Sequence, residues 1–302
     1  MKEQEKQGKK VQILLSAYNG ESYLREQMDS LLRQTWSDLE ILVRDDGSTD
    51  QTAAILQEYE KQYVNVKVFS EENIGLTDSF FRLLEWSDAD YVAFCDQDDV
   101  WMEQKVERAV KALERIQGPA MYCGNKMLVD AQLKELGPLD GEGIRPGFGN
   151  ALIENIATGC TMLLNRELTK IMKEHIPGKA ILHDWWCYLV ASYYGTVVYD
   201  STPYIYYRQH GDNQVGGSAG LLDEIAAKRQ YLKKSRGKLK AQLLEFHRYH
   251  HGNKKKDQLL LKVLETETFG GKINIIFQSK IYRQKKMDNL IVRGLFFTDH
   301  ML

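Results

Sequence analysis

Short apolar runs alternate with amphipathic stretches from Val11 to about Arg115. The run VQILLSAY is followed by a helix-like Glu21 to Arg33, LEILVRDD by Thr52 to Tyr63, VKVFS by Leu76 to Trp86, and YVAFCD by Met102 to Ile116. Four strand-and-helix units in series predict an α/β fold whose mainly parallel sheet has helices on both faces. Beyond Gly118-Pro119 the regularity changes. A strand MYCGNKMLVD leads into a Gly/Pro-rich loop from Gly137 to Gly149, then come ATGCTMLLN, a short helix, the aromatic segment HDWWCYLVASYYG, and a strand pair around TVVYD and YIYYRQH. This reads as the mixed second half of one domain. After about Gly220 the pattern is helical and Lys-rich. The expected organisation is a polar tail over 1–10, an α/β domain over 11–220 and a basic helical region over 221–302.

The chain has 302 residues, 43% hydrophobic and 27% charged, within the ordinary globular range. Its formal net charge of -2 hides an asymmetry, because residues 228–302 hold 18 Lys/Arg against 6 Asp/Glu. An acidic body with a basic tail implies two regions with different partners. Cys95, Cys123, Cys160 and Cys187 lie far apart with no CxxC pair, so reduced, buried thiols in the cytosol are expected. The start MKEQEKQGKK has no apolar stretch for a signal peptide, and no window approaches a membrane span, which points to the cytoplasm.

Ligands of open α/β sheets bind beyond the carboxyl ends of the strands. Polar clusters stand at each such end: Tyr18-Asn19-Gly20, Asp45-Asp46-Gly47-Ser48, Glu72-Asn73, and Asp96-Gln97-Asp98-Asp99. Carboxylates crowded after a hydrophobic strand repel one another, and a hard cation, Mg²⁺ or Mn²⁺, resolves the conflict while substrate phosphates fill its remaining positions. Capping of a helix starting near Val100-Trp101 accounts for Asp99. In DDGSTD the Asp carboxylates can accept hydrogen bonds from a base N–H or a ribose hydroxyl, although a strand-to-helix turn needs no ligand. HDWW places His183 and Asp184 ahead of Trp185 and Trp186 at a helix start. A carboxylate in a partly apolar setting has a raised pKa and serves as a general base, so Asp184 is the candidate for deprotonating a hydroxyl. The two tryptophans are either packing or a sugar-stacking platform. In YRQHGDNQVG, His210 offers a further metal ligand and Arg208 a partner for diphosphate oxygens.

Taken in order, SAYNGESYLREQMDSLLRQT, DDGSTD, ENIG, DQDDVW, TGC, HDWW and YRQHGDNQVG resemble the family 2 glycosyltransferases of the GT-A fold, most closely the bacterial rhamnosyltransferase-like members. The resemblance covers about Val11 to Val215. It implies that Ala17, Tyr18 and Glu21 neighbour the nucleotide, that Asp46 (or Asp45) reads the base, and that Asn73 belongs to the nucleoside pocket. Within DQDD, whose Gln97 joins the donor site, it makes Asp96 the ribose-side acid and Asp98 the metal-binding acid. His210 becomes a metal or diphosphate ligand, Asp184 the base, and Thr158-Gly159-Cys160 the loop beneath donor sugar and acceptor.

The resemblance further implies inversion at the anomeric carbon and transfer to a saccharide acceptor in cell-surface polysaccharide synthesis, with dTDP-L-rhamnose as donor from the HDWW and YRQHG segments alone; a basic tail at the membrane would bring a lipid-linked acceptor within reach. Another hexose from a UDP- or GDP-sugar, or a non-catalytic glycan-binding relative, is the alternative. The Arg that many relatives carry shortly after Asn-x-Gly is missing before Arg82. A nucleotidyltransferase would need a glycine-rich triphosphate loop near VQILLSAYNGES, and a dinucleotide-dependent oxidoreductase would need GxGxxG there. The basic tail, with segments such as KIYRQKKMDNLIVRGLFF, fits either the anionic inner leaflet of the membrane, at about 1 kcal/mol per basic residue, or a helical face packed on the catalytic domain. No nucleic-acid recognition module is visible.

Overall fold

A computed structural model describes residues 9–139, 141–209, 237–265, 271, 278–285 and 288–289. The alternating units form as the pattern predicts: β1 (Val11–Ala17), α1 (Leu24–Leu32), β2 (Leu39–Asp45), α2 (Thr52–Gln62), β3 (Val66–Ser70), α3 (Leu76–Trp86), β4 (Tyr91–Cys95) and α4 (Lys105–Leu113), with a two-residue β5 (Val100–Trp101) before α4. The second half supplies β6 (Ala120–Gly124), β7 (Met127–Val129), β8 (Glu135–Pro138), a short α5 (Phe148–Ala151) and β9 (Leu163–Asn165). It continues with α6 (Arg166–Glu174), α7 (His183–Tyr194), β10 (Thr196–Asp200), β11 (Ile205–Arg208), α8 (Lys238–Tyr249) and α9 (Lys254–Leu264).

Seven strands form the main sheet in the order β10-β6-β9-β4-β1-β2-β3, and β9 alone runs antiparallel to its neighbours β4 and β6. All of β1 is buried, and its side chains alternate between two cores. Leu14 joins Val92 and Phe94 on one face, while Ile13, Leu15 and Ala17 join Ala93 and Cys95 on the other. Burial on both faces explains why these strands read as continuous apolar runs. The four cysteines are free and buried.

Three expectations need correcting. MYCGNKMLVD is two strands, because the chain leaves the main sheet after Gly124 and enters a smaller sheet of order β5-β11-β7-β8. Asn125 makes the turn possible: it is 6% exposed, and its side-chain amide donates to the carbonyls of Leu139 (2.9 Å) and Ser201 (3.1 Å). For the same reason β10 and β11 are not a pair; they lie in different sheets. Val100-Trp101 is a strand pairing with β11, so Asp99 caps no helix and accepts instead from the Arg208 N–H at 3.1 Å.

Helix α7 is apolar nearly all round and lies inside the larger core, as such helices must. α8 and α9 complete that core with Leu243, Phe246, Leu260 and Val263. The basic character of this region is used in part for packing: the Lys256 ammonium donates to the Ser192 and Tyr193 carbonyls at the end of α7, at 2.9 and 2.7 Å. Among the described residues no helix is long and apolar enough to cross a membrane.

Candidate active site

The carboxyl ends of β2, β1 and β4 lie side by side, so the clusters that follow them share one edge of the sheet. Gln97 ties two of them together. Its side chain accepts from the Tyr18 N–H (2.8 Å) and donates to the Tyr18 carbonyl (3.0 Å), and Gly20 must lack a Cβ because one would sit 2.4 Å from the Gln97 amide oxygen. Tyr18 itself is half exposed. Glu21 accepts from the Gln51 N–H at 2.8 Å, which joins the β1 end to the start of α2. Ala17 is fully buried and reaches the edge only through its carbonyl, which accepts from the Asp46 N–H at 2.7 Å.

The DDGSTD acids are committed to the protein itself. Asp45 accepts from the Ser48 N–H at 3.1 Å. Asp46 is 2% exposed, pairs with the Arg44 guanidinium, and accepts from the N–H groups of Ile74 (2.8 Å) and Gly75 (2.9 Å). It therefore braces the ENIG turn, and a base-reading role for its carboxylate does not fit its burial. Asn73 is exposed beside Gly47, whose positive φ of 77° brings the Asn73 N–H within 3.1 Å of where a Cβ would be.

Four carboxylates converge at the end of β4 and the start of α7. Burial, then Asp98 and Asp184, push Asp96 up to about 7. Burial, then Asp98 and Asp96, push Asp99 well above the usual carboxylate range. Ligand atoms of Asp96, Asp99 and Cys160 lie within 4.8 Å of one another. One carboxylate oxygen of Asp99 is buried with no hydrogen-bond partner. Such an arrangement suits a divalent cation, which would relieve the repulsion, though the Cys160 thiol is a softer donor than Mg²⁺ or Mn²⁺ prefers. The expected metal acid, Asp98, is half-buried beside this trio and not within it. His210 lies outside the described residues.

Asp184 is 8% exposed, and burial pushes it up to about 6 against the N–H groups that hold it. One oxygen accepts from the Asn155 amide (2.9 Å) and the Trp185 N–H (2.6 Å), the other from the Gly159 N–H (3.2 Å). The TGC loop thus works through its backbone: Gly159 grips Asp184, Cys160 is buried, and Thr158 faces an adjoining cleft. Lys126, at the start of the small sheet, lies near enough to Asp96 and Asp184 to favour their charged forms. No motif marked Asn155, Lys126 or the role of Asp99. Asn155 sits in an unremarkable loop, and its only sequence cue is standing four residues before Gly159.

Three candidates turn inward. Arg208 is 2% exposed and spends its guanidinium on the Asp98 carbonyl (2.9 Å), the Ala131 carbonyl, Glu26 and the face of Tyr23 (4.4 Å). It fixes the DQDD loop from behind and is not presented to a diphosphate. His183 is wedged between Phe80 (4.1 Å) and Phe94 (5.1 Å), and burial lowers it to about 3, so it is a neutral core residue. Trp186 is fully buried against Phe246, which makes it packing and not a sugar platform. Trp185 is half-buried and donates its indole N–H to the Ala151 carbonyl at 2.7 Å.

Comparison with known proteins gives the family and the fold. Residues 12–170 match the model of Glycosyl transferase family 2. A dTDP-rhamnosyl transferase, RfbG of Shigella flexneri, is 30% identical over 218 residues, spanning 68% of this chain and 74% of that relative. The putative teichuronic acid biosynthesis glycosyltransferase TuaG of Bacillus subtilis is 31% identical over 182 residues, 58% of this chain and 70% of the relative. Among solved structures, S. aureus TarS 1-349 in complex with UDP-GlcNAc superposes with a TM-score of 0.60 at 18% identity, over 96% of this chain and 81% of that one. The mannosyltransferase PcManGT of Pyrobaculum calidifontis, in complex with GDP-Man and Mn2+, gives 0.59 at 15% over the same shares. The fold is that of the GT-A glycosyltransferases, and the chain belongs to glycosyl transferase family 2.

Proposed function

We propose that this transferase moves L-rhamnose from dTDP-rhamnose to a hydroxyl of a saccharide acceptor, with inversion, and that Asp184 is its base. The observation that carries this reading is the pairing of environments: a buried carboxylate at about 6, held by three N–H groups, beside an acidic cluster suited to a cation and a diphosphate. Asp184 takes the proton of the acceptor hydroxyl as its oxygen bonds to the anomeric carbon. The bond from that carbon to the diphosphate oxygen breaks, and its electron pair leaves with the nucleoside diphosphate. Asp96 and Asp99, with Asp98 beside them, would hold a divalent cation, which would supply charge neutralisation for the diphosphate when bound. Tyr18, Glu21 and Asn73, exposed along the β1 and ENIG ends, are the remaining candidates for the nucleoside.

The donor assignment rests on the Shigella flexneri relative; a UDP- or GDP-sugar is the alternative, supported by the ligands of the two solved neighbours. A lipid-linked acceptor at the inner leaflet is supported by the excess of Lys/Arg in residues 228–302. A thermal-shift screen of nucleotide sugars with and without Mn²⁺ tests the donor, with dTDP-rhamnose expected to stabilise the chain in a manner that Asp98→Ala weakens. Stabilisation by UDP-GlcNAc or GDP-mannose alone would replace the donor, and an Asp184→Asn variant as active as the parent would remove the base.

A further inference from the structure

A cleft of about 380 Å³, within the size range of small-molecule sites, opens beside Asp184. Asn155, Ile156 and Thr158 line one side, and Gln284, Lys285 and Asp288 the other. The first wall leads directly to the chemistry, because Asn155 holds one oxygen of Asp184 and Thr158 precedes the glycine that holds the other. The second wall comes from more than 120 residues further along the chain. It is fixed in place: the Arg283 guanidinium pairs with Glu154 at 3.1 Å, the Gln284 N–H donates to Glu154 at 2.8 Å, and Gln284 exchanges hydrogen bonds of 2.8 and 2.9 Å with the Arg145 backbone. Ile281 is buried in the core, and the backbone passes so close that a Cβ on Gly149 would lie 1.7 Å from the Lys280 carbonyl oxygen.

We propose that this cleft is the acceptor subsite and that the returning residues Arg283, Gln284, Lys285 and Asp288 are its specificity-determining wall, shaped for an uncharged sugar ring. The assignment rests on the transferase reading for its chemistry, since a sugar held in the cleft would have to bring a hydroxyl to Asp184, behind Asn155. Charge parity carries the choice of substrate. Glu154 faces Arg283, Asp288 lies 3.9 Å from the same guanidinium, and the Lys126 ammonium sits 3.9 Å over the ring of Tyr207. Glu142 and Lys285 on the rim are of opposite sign. Among the described residues, three cations (Lys126, Arg283, Lys285) stand against three acids (Glu142, Glu154, Asp288) around the cleft. Its amides, carboxylates and ammonium groups offer both donors and acceptors to hydroxyls, and among these residues a uronate or phosphate meets no net excess of cations to replace its hydration.

Saturation-transfer NMR on the full chain tests this with octyl β-glucoside, octyl β-galactoside and octyl N-acetyl-β-glucosaminide as neutral probes and octyl β-glucuronide as the anionic one. At least one neutral probe is expected to receive saturation. Ile156→Trp, which fills the cleft, and Leu139→Trp, an exposed position on its rim, are each expected to reduce that signal at least fivefold with the melting temperature held within a few degrees. Arg283→Ala is expected to reduce it as well, and Arg283→Lys to restore part of it. Absence of any neutral signal, an undiminished signal in both tryptophan variants, or glucuronide binding as strong as the best neutral probe would overturn the proposal. Binding needs no turnover, so the two readings fail separately. A chain that holds the glycoside in the cleft but releases no sugar from any nucleotide donor would sink the function and leave the subsite standing.

Discussion

Removing the Asn155 amide isolates what the protein does to Asp184, the proposed base. Asp184 is pushed up to about 6 by burial and held down from a higher value by the N–H groups of Trp185, Gly159 and Asn155. For a single ionising base, kcat follows the ionised fraction, so the parent rises about tenfold between pH 5 and 7. A hydrogen bond to a charged acceptor contributes about 1.5–3 kcal/mol, equivalent to roughly one to two pKa units. Because the Asn155 bond favours the ionised form, Asn155→Ala raises the pKa, and the acid limb of kcat moves to between about 7 and 8. At pH 6 the variant is expected to be about 5- to 50-fold slower, with most of the difference gone by pH 9. Asp96, also raised, belongs to the donor side, so its ionisation is read in kcat/KM for the donor. Initial rates over pH 5 to 9 at saturating donor check the prediction. An unmoved limb, or a loss equal at every pH, would show that Asn155 does not act through the Asp184 carboxylate.

Three other perturbations follow from the same contacts. Asp184→Asn is expected to cut transfer by about 10²–10⁴ while raising the melting temperature: a carboxyl lifted from 3.8 to about 6 destabilises the fold above pH 6, by up to about 3 kcal/mol, and the cost disappears below pH 3.8. Melting at pH 7 and pH 4 reads both limbs, and a variant less stable than the parent at pH 7 contradicts the sign. Gly159→Ala places a Cβ 2.4 Å from the His183 ring, which Phe80 and Phe94 prevent from yielding, so a loss of about 1–3 kcal/mol in denaturant unfolding and a fall in kcat above tenfold are expected. Arg208→Lys cannot reproduce the fork to Asp98 and Ala131, and should cost about 1–3 kcal/mol and weaken donor binding together, whereas a change in binding alone would return Arg208 to the diphosphate.

The first half of the fold was legible because β1, β4 and most of β2 are buried on both sides and its helices are not. That contrast writes continuous runs against 3.6-residue periodicity, and α3 emerges at Leu76–Trp86 as read. The second half was misread where a buried polar residue turns the chain: nothing in YCGNKMLV distinguishes an Asn that satisfies two foreign carbonyls from one within a strand. The site shows the same division. Local motifs picked out Asp96, Asp98 and Asp184, which the structure brings together, since acids after an apolar strand or before an aromatic helix are costly without a task. They could not tell Asp46 and Arg208, which spend their charge inside the protein, from groups free to bind a ligand, because that depends on partners 28 and 110 residues away.

The break at Asn125 also decides where chemistry can occur. By crossing to the small sheet there, the chain sets Lys126 beside Asp96 and Asp184, and it brings β11 alongside β5 so that Arg208 and its N–H clamp Asp98 and Asp99 from below. The small sheet is thus a jig for the acidic loop, as the segment from Arg283 is a jig for the far wall of the cleft. Neither touches the reacting atoms in the proposed chemistry. Both are held by hydrogen bonds to backbone carbonyls or to a buried carboxylate, which are lost abruptly when a donor is displaced. Damage to the far wall is therefore expected to act as a change in geometry, lowering acceptor binding while the pH dependence set by Asp184 stays where it was, whereas damage to the small sheet, which positions Lys126, is expected to weaken donor binding and to move that acid limb upward as well.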